Sequence, residues 1–274
     1  MTVRIIPKFV DIDVDGRPYR IETAGVEPDD VDTSLAPIVF LHEGLGSVAM
    51  WKDFPARLCA ALGRRGLAWS RPGYGRSTPK RPDEHWGLDF MHGQARQVLP
   101  ALLDALGVRQ RVVLFGHSDG GSIALIHAAS FPEAVESAVV LAPHILVEEF
   151  GLASIREARI AYEQGDLRAR LAKYHDDVDS AFRGWNDIWL NPEFPTWTIE
   201  AMLPAISCPL LAIQGEDDVY GTMEQIDGIA RRTTRTTLLK LSSCGHSPHR
   251  DRPDEVVRSV KEFLDEHDPR PVTR

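Results

Sequence analysis

A serine, a pair of carboxylates and a histidine stand in this chain where each could serve hydrolytic chemistry. Ser118 lies in Gly116-His117-Ser118-Asp119-Gly120, Asp217 and Asp218 follow Gly215, and His246 follows Gly245. A serine hydroxyl is a poor nucleophile until a base accepts its proton. Histidine, neutral near pH 7, can take that proton and return it to a leaving group. A carboxylate fixes the imidazole tautomer and stabilises the imidazolium. Either Asp217 or Asp218 could fill that role by sequence alone. The chemistry also needs donors for a developing oxyanion. One is expected at the N–H of Asp119, where the start of a helix also favours negative charge. The other is expected in His42-Glu43-Gly44-Leu45-Gly46, at the N–H of Gly44 with Leu45 as the alternative.

Specific elements must position these residues. Val112–Phe115 is an apolar run that reads as a buried strand, and Ser122–Ala129 reads as a helix with small residues for close packing. The turn between them would force Ser118 out of the sheet, with Gly116 and Gly120 leaving room for the crossing. Pro37–Leu41 is a central strand that empties into the 42–46 loop. Leu67–Ser70 is the next strand, followed by the loop Arg71–Pro79. A helix is expected with Trp51, Phe54, Leu58, Ala61 and Leu62 on one face. Another is expected over Phe90–Leu106, ended by Gly107. Ala138–Ala142, Leu210–Ile213 and Thr236–Leu241 are further strands, and Pro253–Glu266 is a closing helix with Pro253 in its first turn. The candidate serine, acid and histidine all fall at the carboxyl ends of strands, so one edge of a parallel sheet could gather them.

Two stretches break that rhythm. The start reads as a β-hairpin turning at Asp15-Gly16, followed by an acidic, solvated loop over 25–36. From 145 to 206 there is no strand pattern, and amphipathic helices are expected over Val147–Gln164, Leu167–His175 and Val178–Leu190, with Asp166 and Asp177 as N-caps. Trp185, Trp189 and Trp197 cluster there as candidate substrate-pocket residues, or as packing that joins the insertion to the core. The expected architecture is α/β: a mostly parallel sheet with an N-terminal hairpin and an all-helical cap insertion. Its first core part spans 1–144, the cap 145–206 and the second core part 207–274. Residues 267–274 read as a frayed tail.

Composition narrows the function. The formal net charge of −9 over 274 residues argues against nucleic-acid binding. No apolar run approaches a membrane span, and the N-terminus lacks the apolar core of a signal peptide. Cys59, Cys208 and Cys244 have no metal or redox spacing and suit a reducing cytoplasm. The histidines at 85, 92, 144, 175 and 249 have no metal-ligand spacing, and neither metal nor cofactor is expected. Oligomeric state is not legible.

The loop at 42–46, Arg71-Pro72-Gly73-Tyr74-Gly75-Arg76-Ser77, the serine turn at 116–120, Gly215-x-x-Asp218 and Gly245-His246 together resemble the α/β-hydrolase superfamily over nearly the whole chain. The resemblance implies a Ser118–Asp218–His246 triad, because family members place the acid three residues after the glycine, and within the superfamily it is similar to capped esterases and carbon–carbon bond hydrolases. It implies hydrolysis of a small-molecule carboxylic ester. A carbon–carbon bond hydrolase or a cofactor-free perhydrolase is the alternative on the same triad, and a ligand receptor on a hydrolase scaffold is the alternative of another class. Ser118 argues against the dehalogenases and epoxide hydrolases, which use aspartate there. Ser247 stands where the carbon–carbon bond hydrolases often carry tryptophan. His42-Glu43 replaces the common His-Gly. Glu43 either adds a carboxylate near the acyl site, as a candidate substrate-pocket residue, or points away, which is the favoured reading. His42 is expected to brace the loop and His117 to pack behind the serine. Arg71 and Arg76 could meet a carboxylate-bearing substrate but more often such arginines pair with nearby acids.

Overall fold

Asp15 and Gly16 both have positive φ, 54° and 79°, which matches the strand twist of a two-residue hairpin. They join β1 (Val3–Val14) to β2 (Arg17–Pro28) in the computed structural model, which describes residues 2–81 and 83–267. β2 is longer than the sequence suggested. Gly25–Pro28, expected as loop, pairs with β1 and carries buried Val26 against the next strand. Backbone pairing on both sides outweighs the acidic local composition.

Six parallel strands complete the sheet: β3 (Ile38–Leu41), β4 (Gly66–Trp69), β5 (Val112–His117), β6 (Val135–Leu141), β7 (Leu210–Gly215) and β8 (Thr236–Leu241). The spatial order is β1-β2-β4-β3-β5-β6-β7-β8. Strand order reverses at β3, whose neighbours are β4 and β5. Crevices for ligands open at such a reversal, beyond the carboxyl ends of the strands. β3, β5 and β7 are buried at every position, as strands covered on both faces must be.

Helices supply the cover. In chain order they are α1 (Phe54–Leu62), α2 (Phe90–Gly93), α3 (Leu99–Ala105), α4 (Asp119–Ser130), α5 (Glu149–Gln164), α6 (Leu167–Leu171), α7 (Val178–Trp189), α8 (Glu224–Arg232), α9 (Pro248–Asp251) and α10 (Pro253–Glu266). α1 and α10 bury Phe54, Leu58, Val256 and Val260 against Phe40, Phe115 and Ile213. The other face meets α3, α4 and α8 through Leu99, Ile123 and Ile229. The helix expected over 90–106 contains a π turn at Gln94–Val98. Pro100, which has no N–H to donate, starts the regular helix again beyond it. Trp51 lies in a 3-10 turn ahead of α1 rather than in the helix itself.

Between β6 and β7 stand α5, α6 and α7 with two 3-10 turns, Phe194–Thr196 and Glu200–Ala205. The only pairing in this stretch is a bridge between Leu146 and Thr198. Asp177 caps α7 by accepting a hydrogen bond from the Ser180 N–H at 2.8 Å. Asp166 makes no such cap; its carboxylate turns to Arg170 at 3.3 Å. Of the tail expected at 267–274, residues 268–274 lie outside the described residues. No helix among the described residues is long and apolar enough to cross a membrane.

The tightest approach is that of α4 to β3. A Cβ on Gly120 would collide with the Leu41 carbonyl oxygen, and one on Gly116 with the Gly120 carbonyl oxygen. Backbone cannot yield as a flexible side chain can. Gly120→Ala is therefore expected to destabilise the protein by ~4 kcal/mol or more, at the severe end of single substitutions. Thermal and urea unfolding test this; a variant within ~1 kcal/mol of the parent would show that the crossing can relax.

Candidate active site

The turn between β5 and α4 holds Ser118 at φ 53° and ψ −121°. This is a costly conformation for a residue with a side chain, and it persists because its surroundings hold it. The Ser118 N–H donates to the Leu141 carbonyl at 2.9 Å, and Ser118 accepts at its own carbonyl from Ser122 N–H at 3.0 Å. The hydroxyl is thereby lifted off the strand end toward the loops after β7 and β8.

His246 meets it there. Its Nε2 is 2.9 Å from Ser118 Oγ, and its Nδ1 is 2.9 Å from both oxygens of Asp218. Asp218 Oδ1 also accepts from the Tyr220 N–H at 2.8 Å. Asp217, its neighbour, is exposed. Burial would raise the Asp218 carboxyl, but the hydrogen bond and charge of His246 outweigh it and hold it below the usual range. Two contacts fix the His246 loop. His117 Nε2 lies 2.6 Å from the His246 carbonyl, and the Gly245 N–H donates to Asp251 of α9 at 2.8 Å. His117 thus sits behind the serine, and α9, which the sequence did not suggest, anchors the loop.

The loop after β3 is held as firmly. Three donors converge on the Glu43 carbonyl oxygen: His42 Nδ1 at 2.7 Å, Arg71 Nη2 at 2.9 Å and Gly46 N–H at 3.0 Å. His42 Nε2 accepts from the Arg71 N–H at 3.0 Å, so the ring proton is on Nδ1. Burial and the Arg71 charge hold His42 well below the ordinary histidine range, which keeps it neutral. A trans peptide points its N–H opposite to its C=O. Pinning the Glu43 carbonyl therefore aims the Gly44 N–H the other way, and Gly44 and Asp119 line the same cavity as Ser118.

That cavity is about 100 Å³, with Leu45, Ile155, Trp185, Trp189 and Tyr220 in its walls. Trp185 reaches from α7 onto the loop, and a Cβ on Gly44 would collide with its indole nitrogen. Trp189 Nε1 donates to Asp119 Oδ1 at 3.2 Å. Burial pushes the Asp119 carboxyl up to about 6, against the opposing charge of Arg71. Arg71 is itself buried, 3.8 Å from Asp119 Oδ2 and over the ring of Tyr74. It is committed to the interior, and Arg76 is exposed.

Of the other two expected pocket residues, one lies outside the cavity and one borders it. Trp197 stacks on Phe194 at 5.6 Å, outside the cavity, because the turn at Phe194–Thr196 folds it back onto the insert. Glu43 borders the cavity, but its carboxylate faces His117 Nδ1 at 3.6 Å and Arg250 Nη2 at 3.2 Å. Burial would raise that carboxyl; His117 and Arg250 hold it well below the usual range. Sequence reading missed Ile155, Tyr220 and His144 as cavity residues. His144 had one usable signal: it follows the end of a predicted strand, as the serine, acid and histidine do. Among the described residues no group of three or more His, Cys, Asp or Glu could hold a metal ion.

A serine whose hydroxyl is hydrogen-bonded to a carboxylate-oriented histidine, at the carboxyl edge of a mostly parallel sheet, defines a hydrolase class rather than a binding fold alone. The profile of the Alpha/beta hydrolase family matches residues 38–259, and the chain belongs to that family. It is 29% identical to Serine hydrolase BPHL of Mus musculus over 203 residues, covering 72% of this chain and 68% of that protein. It is 25% identical to the 2-hydroxy-6-oxo-6-phenylhexa-2,4-dienoate hydrolase of Comamonas testosteroni over 256 residues, 83% of this chain and 87% of that one. The proline iminopeptidase of Mycobacterium smegmatis has a similar fold, with a TM-score of 0.75 at 18% identity, covering 95% of this chain and 99% of that one.

Two buried histidines beside the site, His249 and His144, are held neutral. His249 packs among Trp51, Phe54 and His117, and neither of its ring nitrogens has a hydrogen-bond partner among the described residues. Burial and the neighbouring His117 hold it well below the ordinary range. Burial likewise lowers His144 to about 3. An unfolded histidine takes up its proton as pH falls through ~6.5, while these folded ones do not, so acid favours unfolding. The melting temperature is expected to fall between pH 8 and pH 5. His249→Phe removes one such group, ~2 kcal/mol at pH 5, and should lessen that fall. Parallel pH–melting curves with equal slopes would refute it.

Proposed function

We propose that this chain is a serine hydrolase that cleaves a small carboxylic ester through an acyl-enzyme. The observation that carries the reading is the unbroken relay at 2.9 Å from Ser118 Oγ through His246 to Asp218. Ser118 attacks the ester carbonyl as His246 takes its proton. The N–H groups of Gly44 and Asp119 receive the oxyanion, where preorganised donors are worth most. His246 then protonates the leaving alcohol, and water activated by the same histidine frees the acid. No cofactor enters this sequence of steps.

Residues 145–206 act as a cap between core parts 1–144 and 207–274, with Trp185 and Trp189 setting which acyl groups fit. The cavity of about 100 Å³ favours small ones. Three free, buried cysteines suit a cytoplasmic enzyme. The Comamonas testosteroni relative favours a second reading, carbon–carbon bond hydrolysis with the same three residues. Steady turnover of p-nitrophenyl esters, against a single slow burst, separates an enzyme from a receptor.

Ser118→Ala is expected to abolish ester turnover with the melting temperature retained, leaving at most ~10³-fold over water from the remaining site. Asp218→Asn should lower kcat by up to ~10⁴-fold by mis-setting the tautomer of His246, and exposed Asp217→Asn should stay within ~10-fold, or ~1.4 kcal/mol of barrier. Because His246 must be neutral to act as base, kcat/KM should fall on the acid side. Near-normal kcat in Ser118→Ala, or a flat profile from pH 5 to 8, would overturn the assignment.

The cap reading has its own test. Trp185→Ala should widen the cavity over the Gly44 loop and shift preference toward longer p-nitrophenyl acyl esters by ~10-fold, the effect of a few methylenes at most. An unchanged chain-length preference in Trp185→Ala and Trp189→Ala would make both residues packing alone.

A further inference from the structure

His144 is the one cavity-lining imidazole that the relay does not use. It follows β6, where Ala142 turns the chain at φ 45°. Its backbone is locked to α4: the His144 N–H donates to Ser122 Oγ at 3.0 Å, and Ser122 Oγ donates to the His144 carbonyl at 2.7 Å. The ring stands edge to face with Trp189 at 4.9 Å and lies 5.9 Å from the ring of His246. It is buried and opens on the cavity that holds Ser118, and neither ring nitrogen has a hydrogen-bond partner among the described residues.

A neutral imidazole offers one donor and one acceptor. Neither nitrogen is sealed in the interior, and the cavity they are open to is where substrate must sit. Resting on the ester-hydrolase reading above, we propose that His144 is a specificity-determining residue. It hydrogen-bonds an uncharged oxygen carried one or two carbons from the scissile carbonyl, so the favoured substrates are small esters of hydroxy or oxo acids. The position follows from the distances. Ser118 Oγ is 2.9 Å from His246 Nε2, so the attacked carbon lies beside the His246 ring. An oxygen ~3 Å from His144 is then only a bond or two further on. The charge follows from the lining. Burial and the nearby His246 lower His144 to about 3, so it carries no positive charge for an anionic substituent. Asp119, which lines the same cavity, would repel one. The side chains of Leu45 and Ile155, also in the lining, offer such an oxygen no polar partner.

The test uses methyl butanoate, methyl 3-hydroxybutanoate and methyl 3-oxobutanoate, followed by acid release at constant pH. The parent protein should prefer an oxygenated ester by ~10-fold or more in kcat/KM, since a site built to hydrogen-bond a group discriminates against its absence. His144→Phe should collapse that ratio toward one, whatever it does to overall turnover, and His144→Asn should keep part of it. Equal rates for all three esters in the parent, or an undiminished ratio in His144→Phe, would overturn the proposal. A second measurement separates this from the catalytic reading. In Ser118→Ala protein, tryptophan fluorescence titrated with the same esters should show ~10-fold tighter binding of the oxygenated ones, lost when His144→Phe is added. Absence of ester turnover in the parent would count against the hydrolase reading, while this titration would still decide for or against His144.

Discussion

The molecule depends on one crossing. The start of α4 passes so close to the end of β3 that Gly120 leaves no room for a Cβ beside the Leu41 carbonyl. Because the strand order reverses at β3, this crossing sets the loop after β3 beside the turn after β5. The Gly44 and Asp119 N–H groups and the Ser118 hydroxyl then share one cavity. A looser packing of α4 would separate the loop from the serine. The strained backbone of Ser118 is held in place by this packing, with its N–H tied to Leu141 of β6.

Around that crossing most of the buried histidines have a backbone task. His42 holds the Glu43 carbonyl, His117 holds the His246 carbonyl, and His175 bridges the Gly75 N–H to the Leu45 carbonyl. Burial holds His42 and His175 below the ordinary histidine range, so these two rings do it without the desolvation cost of a charge in the interior. The formal charges that are buried come close to partners: Arg71 near Asp119, Arg64 with Glu136, and Glu43 facing His117 and Arg250. Among the described residues, the one carboxyl that burial pushes strongly upward, Asp119, is the neighbour of Ser118. Perturbed groups often mark where chemistry is done, and Asp119, His144 and Asp218 line or adjoin the same cavity.

The insert between β6 and β7 contributes walls rather than reacting groups. Trp185 covers the loop after β3, and Trp189 is tied by its indole N–H to Asp119. The same insert carries Trp197 and Phe194, which pack on each other away from the cavity. Large aromatics serve cores and pockets alike, and composition did not separate them. Fold likeness does not carry a substrate either, since function resides in the site grafted onto the fold.

The alternation of apolar runs with helical periodicity was enough to assign the parallel sheet, the hairpin at Asp15-Gly16 and the insertion, because core strands must be apolar and turns need residues that accept positive φ. The same pattern put Ser118, His246 and an acid at strand ends, and family spacing favoured Asp218. What local sequence could not contain was direction. Asp217 and Asp218 are adjacent and alike, and only the fold turns one to His246 and leaves the other exposed. Glu43 faces away from the reacting atoms because His117 and Arg250, 74 and 207 residues distant, attract its carboxylate. Gly25–Pro28 became strand because two neighbours were there to pair with it. His144 entered the cavity because Ser122 of α4, 22 residues earlier, holds its backbone. Residue types and their periods are local properties of the chain; the orientation of a side chain is decided by groups far away in sequence, and those meet only once the chain has folded.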